Sequence, residues 1–300
     1  MEQIVPDSEA RGLMARLPAR ARNLALLARL DRPIGWWLLF WPGAWAVALA
    51  GNGLEHWGLM LALLAGSIAM RGAGCVWNDM VDRELDRSVA RTASRPLASG
   101  AVSMKAAGLW LAALCAVGLV VLLTLRWQAQ LVALSSILLV LAYPYMKRIT
   151  WWPQAWLGMV FNWAALVGWV QVTGELNLAG LLLYLGSIPW TIGYDSLYAV
   201  MDRADDELVG IKSSTRAMGA YVRAGVTGFY AVALACWAGA FWLMRPTPLA
   251  LLALLPMAGH LLWQVATLKE EDPVDPLLKF RSNRFAGLLM FAACTVVGAS

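Results

Sequence analysis

The sequence predicts an all-α fold, a polytopic membrane bundle of nine transmembrane helices, and three observations support that class. The mean hydropathy of the chain is +0.60, and charged residues make up 14% of it, whereas about 25% is usual for a soluble domain. Apolar segments of about 20 residues, long enough to cross a bilayer as helices, recur along the chain. They are solidly apolar and do not alternate with period two, which favours helices over a membrane barrel.

The first element is a basic amino-terminal arm, residues 1–33, which we predict to be cytoplasmic and amphipathic. Residues 11–32 contain six arginines with leucines placed between them. A helix that carries arginines on one face and leucines on the other is typical of the interface of an anionic membrane leaflet. Residues 34–300 are then expected to form the membrane domain.

Nine spans follow in that domain. Tryptophan or tyrosine flanks several of their ends, as expected where aromatic rings lie at headgroup level. The predicted bounds are 34–51, 57–77, 107–125, 129–146, 154–171, 179–200, 222–244, 248–267 and 284–299.

The distribution of lysine and arginine orients the spans. Only Arg126 and Arg245 lie in the connectors after odd-numbered spans; apart from Arg71 within span two, the other cations lie in the arm, in the remaining loops or within the first two residues of the span that follows such a loop. Positive charge marks the cytoplasmic side, so we expect a bacterial inner-membrane protein with a cytoplasmic amino terminus and a periplasmic carboxyl terminus. This bias explains the net charge of +5 without a nucleic-acid partner.

The acidic residues are concentrated in two short windows. Of the 19 Asp and Glu, four lie in 79–86 and five lie in 195–207. Both windows close an even-numbered span, at the end that we predict to be cytoplasmic. Carboxylates contribute little to orientation, so topology does not explain this concentration.

The two windows repeat one spacing of oxygen-bearing side chains. On a helix, residues four apart lie one turn above each other on the same face. Each window therefore predicts a stripe of oxygen ligands at the end of its span. The first trio is Asn78, Asp82 and Asp86, and the second is Tyr198, Asp202 and Asp206.

Oxygen ligands of this kind suit Mg²⁺, which is usually held by one or two carboxylates together with waters and substrate phosphates. Stacked like charges destabilise a bare helix, so a cation is expected to offset them. The alternative for either window alone is a solvated loop with local Asp–Arg pairs. The matched spacing at matched ends of two spans favours the metal site.

An excess of fixed cations surrounds these carboxylates. Lysine and arginine beside metal-bridged phosphates stabilise charge on a departing phosphate group. The sequence lacks a Gly-x-x-x-x-Gly-Lys loop, which disfavours a nucleotide-cleaving P-loop protein. The pattern predicts a diphosphate with an apolar group attached to it. The cations are Arg83, Arg87, Arg91, Arg95, Lys147, Arg148, Lys212 and Arg216.

Two further ionisable residues lie deeper in the spans than the predicted metal stripes. Arg71 precedes Asn78 by seven residues, which is about 10 Å at 1.5 Å per residue. An arginine within a span is a functional hypothesis by default, and this one could hold a carboxylate bidentately; the alternatives are snorkelling and a structural pair. Asp195 could accept a proton or a hydrogen bond from a phenol-like hydroxyl.

At these residues the sequence resembles a known family. The string NDMVDRELD matches the NDxxDxxxD motif of the UbiA superfamily of intramembrane prenyltransferases, and DSLYAVMDRADD matches its second aspartate motif. Within that superfamily, MRGAGCVWNDMVDRELDRSVARTASRPL, YPYMKR and GYDSLYAVMDRADDELVGIKSSTRAMG look like the 4-hydroxybenzoate polyprenyltransferase branch. The resemblance extends over nearly the whole chain.

The resemblance implies a helical bundle around a central cavity that opens to membrane lipid. It also implies two Mg²⁺ ions that bridge the diphosphate of a polyprenyl diphosphate, one on each trio, with Asp79 in support. Catalytic roles would fall to Asp82, Asp86, Asp202, Asp206 and Asp195. Candidates for diphosphate contact are Lys147, Arg148 and Lys212, and candidates for a small aromatic acid are Arg71 and Asp195.

Two alternatives stay open. Haem, menaquinone and chlorophyll branches of the superfamily share the aspartate motifs and differ in the acceptor. A transporter of Mg²⁺ or of a phosphorylated lipid is disfavoured. Its usual signature is a pair of broken helices at the membrane midplane, whereas the acidic stripes predicted here lie at one face of the membrane. Neither the isoprenoid length nor the oligomeric state can be predicted from these residues.

Overall fold

The protein is described by a computed structural model that covers residues 8, 11–51, 53, 55–89, 92–201, 212–272 and 274–298. Regular structure within these residues is helical throughout, with no strand, as the sequence predicts. A short 3₁₀ turn at Gly219–Tyr221 joins two of the helices.

The α-helices run as follows along the described residues. They are α1 Arg11–Ala15, α2 Ala19–Leu27, α3 Ile34–Gly51, α4 Trp57–Val81, α5 Arg83–Ser88, α6 Met104–Leu123, α7 Trp127–Ser135, α8 Ile137–Ile149, α9 Pro153–Phe161, α10 Trp163–Thr173, α11 Leu178–Ala199, α12 Ser214–Met218, α13 Val222–Met244, α14 Pro248–Leu252, α15 Leu255–Ala266 and α16 Asp275–Gly298.

Seven helical segments among the described residues are long and apolar enough to cross a membrane. They coincide with seven of the nine predicted spans. The segments are Ile34–Gly51, Trp57–Val81, Met104–Thr124, Trp127–Met146, Pro153–Thr173, Ser214–Met244 and Pro248–Ala266.

Predicted spans six and nine correspond to α11 and α16, which are helices of 22 and 24 residues but are less apolar than the seven. In α11 the apolar first half gives way to Ser187, Pro189 and a stretch with Tyr and Asp. The first turns of α16 contain four charged residues. Polar and ionisable side chains in a spanning helix are tolerated where they face protein. The count of nine spans therefore stays a prediction.

The chain divides into two compact units, residues 1–37 with 64–124, and residues 38–63 with 125–300. In the first unit, α2 packs its apolar residues against protein. Leu27 and Ala28 are buried in a cluster with Val76 and Leu97. Arginines of the amino-terminal arm, such as Arg16, are exposed on the surface of this unit. Part of the apolar face predicted to lie on lipid is thus used by the fold itself.

In the second unit, aromatic residues lie directly on glycines of α11. A Cβ atom at Gly186 would lie 2.8 Å from the indole of Trp237, and a Cβ at Gly193 would collide with the ring of Tyr230. The backbones of α11 and α13 can approach this closely only because these glycines lack side chains. This packing fixes α11, the helix that leads into the second aspartate motif.

Span five is interrupted at Asn162. Helix α9 ends at Phe161 and α10 begins at Trp163. The Asn162 side chain is fully buried, and its Nδ2 lies 2.7 Å from the carbonyl of Gly158, 3.0 Å from the carbonyl of Ser187 and 2.8 Å from Thr191 Oγ1. The amide thus ties the break in span five to α11.

Candidate active site

The first aspartate motif lies where α4 ends and α5 begins. The sequence predicts one continuous helical stripe, but α4 stops at Val81 and α5 starts at Arg83, with Asp82 between them at φ −93° and ψ 6°. The four-residue register survives the break. The N–H of Asp82 donates to the carbonyl of Asn78 at 2.9 Å, and the N–H of Asp86 donates to the carbonyl of Asp82 at 2.7 Å.

Three carboxylates of this motif are buried. The exposed fraction is 2% for Asp79, 0% for Asp82 and 5% for Asp86. A buried carboxylate is costly unless a cation or hydrogen-bond donors compensate its charge. This burial argues against a simple solvated loop, the alternative that the sequence left open.

Arg29 supplies one compensating charge for Asp79. Its Nη2 lies 3.0 Å from each carboxylate oxygen of Asp79, and its Nη1 donates to the carbonyl of Leu26 at 2.9 Å near the end of α2. Among the described residues other than glycine, Arg29 alone has a positive φ, 55°. Burial lowers the pKa of the Arg29 guanidinium, but the negative groups around it, Asp79 first among them, together raise that pKa above its ordinary value.

Arg95 supplies a second charge and links two carboxylates. Its Nη1 lies 2.8 Å from Asp86 Oδ2 and 3.3 Å from Asp79 Oδ1. The residues that follow the motif therefore fold back over it. Arg87 instead pairs with Glu84 at the surface, and Arg91 lies outside the described residues.

The donor set fits Mg²⁺. Asn78, Asp82 and Asp86 offer an amide oxygen and two buried carboxylates in a four-residue register, and hard oxygen donors are the ligands that Mg²⁺ prefers. Within the described part of the chain, no three His, Cys, Asp or Glu side chains are already grouped closely enough to hold an ion.

Arg71 lies in α4 two turns before the motif, as predicted. Its Nη1 lies 2.7 Å from the Sγ of Cys75, one turn further along the helix. On the other side its guanidinium covers the backbone of Gly35, at the beginning of α3. The guanidinium therefore rests between a thiol and a glycine.

The second aspartate motif is described only in its first part. Asp202 and Asp206 lie outside the described residues. Asp195 and Tyr198 are half-buried on α11, and the ring of Tyr198 packs on Phe280, with 4.9 Å between the ring centroids. Phe280 belongs to α16, so this helix supports the end of α11.

Two of the predicted phosphate-binding residues, Lys212 and Arg148, are brought close to each other in space by the fold. Lys212 Nζ donates to the carbonyl of Ile149 at 3.1 Å, directly after the exposed Arg148. The guanidinium of Arg216 lies over the ring of Trp151 at 5.3 Å. Lys147 belongs to α8, but its side chain lies outside the described residues.

Buried hydroxyl and amide groups that the sequence did not single out support this region. Ser196 and Ser214 are fully buried, and their hydroxyls lie 2.6 Å apart. The N–H of Ser214 also donates to Gln154 Oε1 at 3.2 Å. These contacts join α9, α11 and α12, and no local spacing in the sequence indicates them.

Comparison with known proteins decides the family. Residues 39–294 match the model of the UbiA prenyltransferase family. The chain belongs to the UbiA prenyltransferase family. This confirms the resemblance seen in the two aspartate motifs, and most of the described helices lie within the matched range.

Two curated proteins similar to this UbiA chain carry the same name. A Drosophila pseudoobscura pseudoobscura protein named "4-hydroxybenzoate polyprenyltransferase, mitochondrial" is 43% identical over 291 residues, which cover 96% of this chain and 73% of that protein. A Homo sapiens protein of the same name is 39% identical over 268 residues, with 88% and 72% covered.

Solved structures show the same fold. A UbiA homologue from Archaeoglobus fulgidus bound to GPP and Mg²⁺ gives a TM-score of 0.65 at 19% identity, over 93% of this chain and 100% of that one. The apo structure of a UbiA homologue from Aeropyrum pernix K1 gives 0.62 at 23% identity, with 88% and 95% covered.

Proposed function

We propose that this UbiA-family protein transfers a polyprenyl group from polyprenyl diphosphate to 4-hydroxybenzoate in ubiquinone biosynthesis. The group would join the ring carbon ortho to the hydroxyl, with release of diphosphate and loss of the ring proton. The observation that carries the proposal is identity of 43% and 39% to proteins with that name over most of the chain. The buried carboxylates at the end of α4 and the beginning of α5 supply a site with matching chemistry.

The diphosphate is assigned to the two aspartate motifs. Mg²⁺, when bound, supplies positive charge that stabilises the departing diphosphate. The A. fulgidus homologue, which binds GPP and Mg²⁺, supports this assignment. In the chain itself, oxygens of one trio would hold each ion, with Lys147, Arg148 and Lys212 contacting the phosphates. The trios are Asn78, Asp82 and Asp86, and Tyr198, Asp202 and Asp206.

Asp79 takes a supporting role in this proposal. Its two oxygens already face the guanidinium groups of Arg29 and Arg95. It would hold these arginines beside the metal-binding carboxylates. Asp82 and Asp86 are left as the acidic ligands of the first motif.

The aromatic acceptor is assigned to Arg71 and Asp195. A guanidinium matches a carboxylate through two parallel hydrogen bonds, so Arg71 would orient the acid group. Asp195 would accept the hydrogen bond of the phenol and raise the electron density of the ring. The attacking carbon is then presented to the prenyl group.

The finer topology belongs to the same proposal. We place nine spans around a central cavity, the aspartate motifs and the amino terminus in the cytoplasm, and the carboxyl terminus in the periplasm of a bacterial inner membrane. The scarcity of cations after odd-numbered spans supports this orientation. Membrane lipid would surround the bundle and deliver the polyprenyl substrate.

The test is direct. Membranes that contain the protein are supplied with polyprenyl diphosphate, Mg²⁺ and labelled 4-hydroxybenzoate, and lipid-extractable label is measured. Label in the lipid fraction, lost on chelation and restored by Mg²⁺, is the expected result. Product from a different acceptor and none from 4-hydroxybenzoate would move the protein to another branch of the family.

A further inference from the structure

Gly35 and Arg71 are in close contact within the unit formed by residues 1–37 and 64–124. A Cβ atom built at Gly35 would lie 2.7 Å from Arg71 Nε, and 3.5 Å from both Cζ and Nη2. The guanidinium therefore occupies the volume that any side chain at position 35 would need.

Backbone conformation does not explain the glycine. Gly35 lies in the first turn of α3, and of the glycines that the structure describes only Gly100, Gly174 and Gly219 have a positive φ. Inside a helix glycine is less favourable than alanine by roughly 0.5–1 kcal/mol. What position 35 requires is the absence of a Cβ.

The thiol of Cys75 fixes the guanidinium from a second direction. Its Sγ lies 2.7 Å from Arg71 Nη1, and the residue is buried. Gly35 and Cys75 thus contact the guanidinium on two sides. Recognition of a carboxylate by the planar guanidinium depends on that placement. A displaced guanidinium loses the alignment of its two parallel hydrogen bonds with the carboxylate oxygens.

We propose that Gly35 is a specificity-determining positioning residue. Because it has no side chain, it leaves space for the Arg71 guanidinium at the place where this group is aligned with the carboxylate of the aromatic acceptor. The inference rests on the proposed function. A methyl group at position 35 displaces the end of a flexible side chain and no backbone. The fold therefore accommodates the substitution, and the loss falls on acceptor binding.

The test compares Gly35→Ala with Gly74→Ala. Gly74 lies on α4 three residues from Arg71, and a Cβ there would meet nothing within 4 Å. In membranes with polyprenyl diphosphate and Mg²⁺, Gly35→Ala is expected to raise the KM for 4-hydroxybenzoate about tenfold, as expected for one weakened charge-assisted hydrogen bond. The KM for polyprenyl diphosphate and the thermal unfolding midpoint in detergent stay unchanged. Gly74→Ala matches the unaltered protein in all three.

A double variant separates positioning of Arg71 from a general effect of the methyl group. In the Arg71→Lys background the guanidinium is absent, so Gly35→Ala is expected to raise the KM for 4-hydroxybenzoate by less than a further twofold. Effects of two residues that act together are not additive. Equal effects in both backgrounds would overturn the inference.

Other outcomes distinguish this inference from the proposed function. An unaltered KM for 4-hydroxybenzoate in Gly35→Ala, or an equal rise for both substrates, would overturn the inference alone. Absence of prenylated product from the unaltered protein with any aromatic acid would overturn the proposed function and this inference with it.

Discussion

Arg29 Nη2 lies 3.0 Å from both carboxylate oxygens of Asp79, fifty residues later in the chain. The pair joins the amino-terminal arm to the first aspartate motif. Arg29 reaches it from a backbone conformation with φ of 55°, which few residues other than glycine adopt. Strained conformations of this kind persist where surrounding contacts hold them in place, and here the contacts are Leu26 and Asp79.

Loss of this pair is predicted to destabilise the protein. The side chains of Arg29 and Asp79 are 12% and 2% exposed, and Arg29→Ala leaves the buried Asp79 charge with the more distant Arg95, at 3.3 Å. Breaking a buried pair by removing one member costs about 3–5 kcal/mol. The free energy of unfolding in mild detergent measures the loss. Arg20→Ala, at an exposed position of the same arm, should change it by less than about 0.5 kcal/mol.

The assignment of Asp82 as a metal ligand predicts a separation of activity from folding. Asp82→Asn keeps the size of this fully buried side chain but removes its charge, so prenyl transfer should be lost while the unfolding midpoint stays close to that of the unaltered protein. Asp202→Asn should behave alike. Glu84→Gln, at an exposed position of the same segment, is the matched control with normal activity. Mg²⁺-dependent transfer retained in both aspartate variants would contradict the two-metal assignment.

Arg71→Lys tests recognition of the acceptor carboxylate. A lysine keeps the charge but cannot form two parallel hydrogen bonds, so the apparent affinity for 4-hydroxybenzoate should fall about tenfold, as expected for one lost charge-assisted bond. The KM for polyprenyl diphosphate is measured in parallel and should not change. An unchanged affinity for the acid would argue against carboxylate binding by Arg71.

Substitution of Asn162 is predicted to have a purely structural effect, a loss of stability. Its amide joins the break between α9 and α10 to Ser187 and Thr191 of α11, and interhelical hydrogen bonds in membranes reach about 1–2 kcal/mol. Asn162→Ala should lower the free energy of unfolding in detergent by that amount. Thr124→Ala, at an exposed helix end with a bond only to its own turn, serves as the control. Equal stability of the two variants would show that the Asn162 bonds contribute nothing.

The sequence predicts much of this molecule because spans and motif spacing are local properties. Seven of the predicted spans coincide with helices apolar enough to cross a membrane, and the i, i+4 register of Asn78, Asp82 and Asp86 persists through the break at Asp82. Family membership follows from the same strings. Spans six and nine are harder to judge, because polar residues that face protein lower the hydropathy of α11 and α16.

Long-range partners could not be read from the sequence. Arg29 belongs to a stretch whose arginines look alike, and nothing local distinguishes the one that reaches Asp79. The sequence places Arg95 among the cations near the motif, but its position over Asp86 depends on how residues 92–99 fold back. The bond between Ser196 and Ser214 likewise joins residues whose contact is set by tertiary packing and not by any spacing pattern.

The measurement that tests the central claim most directly is transfer of label from 4-hydroxybenzoate into lipid by membranes with and without the protein. With polyprenyl diphosphate and Mg²⁺ present, we predict a lipid-extractable prenylated acid that disappears on chelation and in Asp82→Asn. Membranes that contain folded protein yet form no such product, while another acceptor is prenylated, would contradict the account.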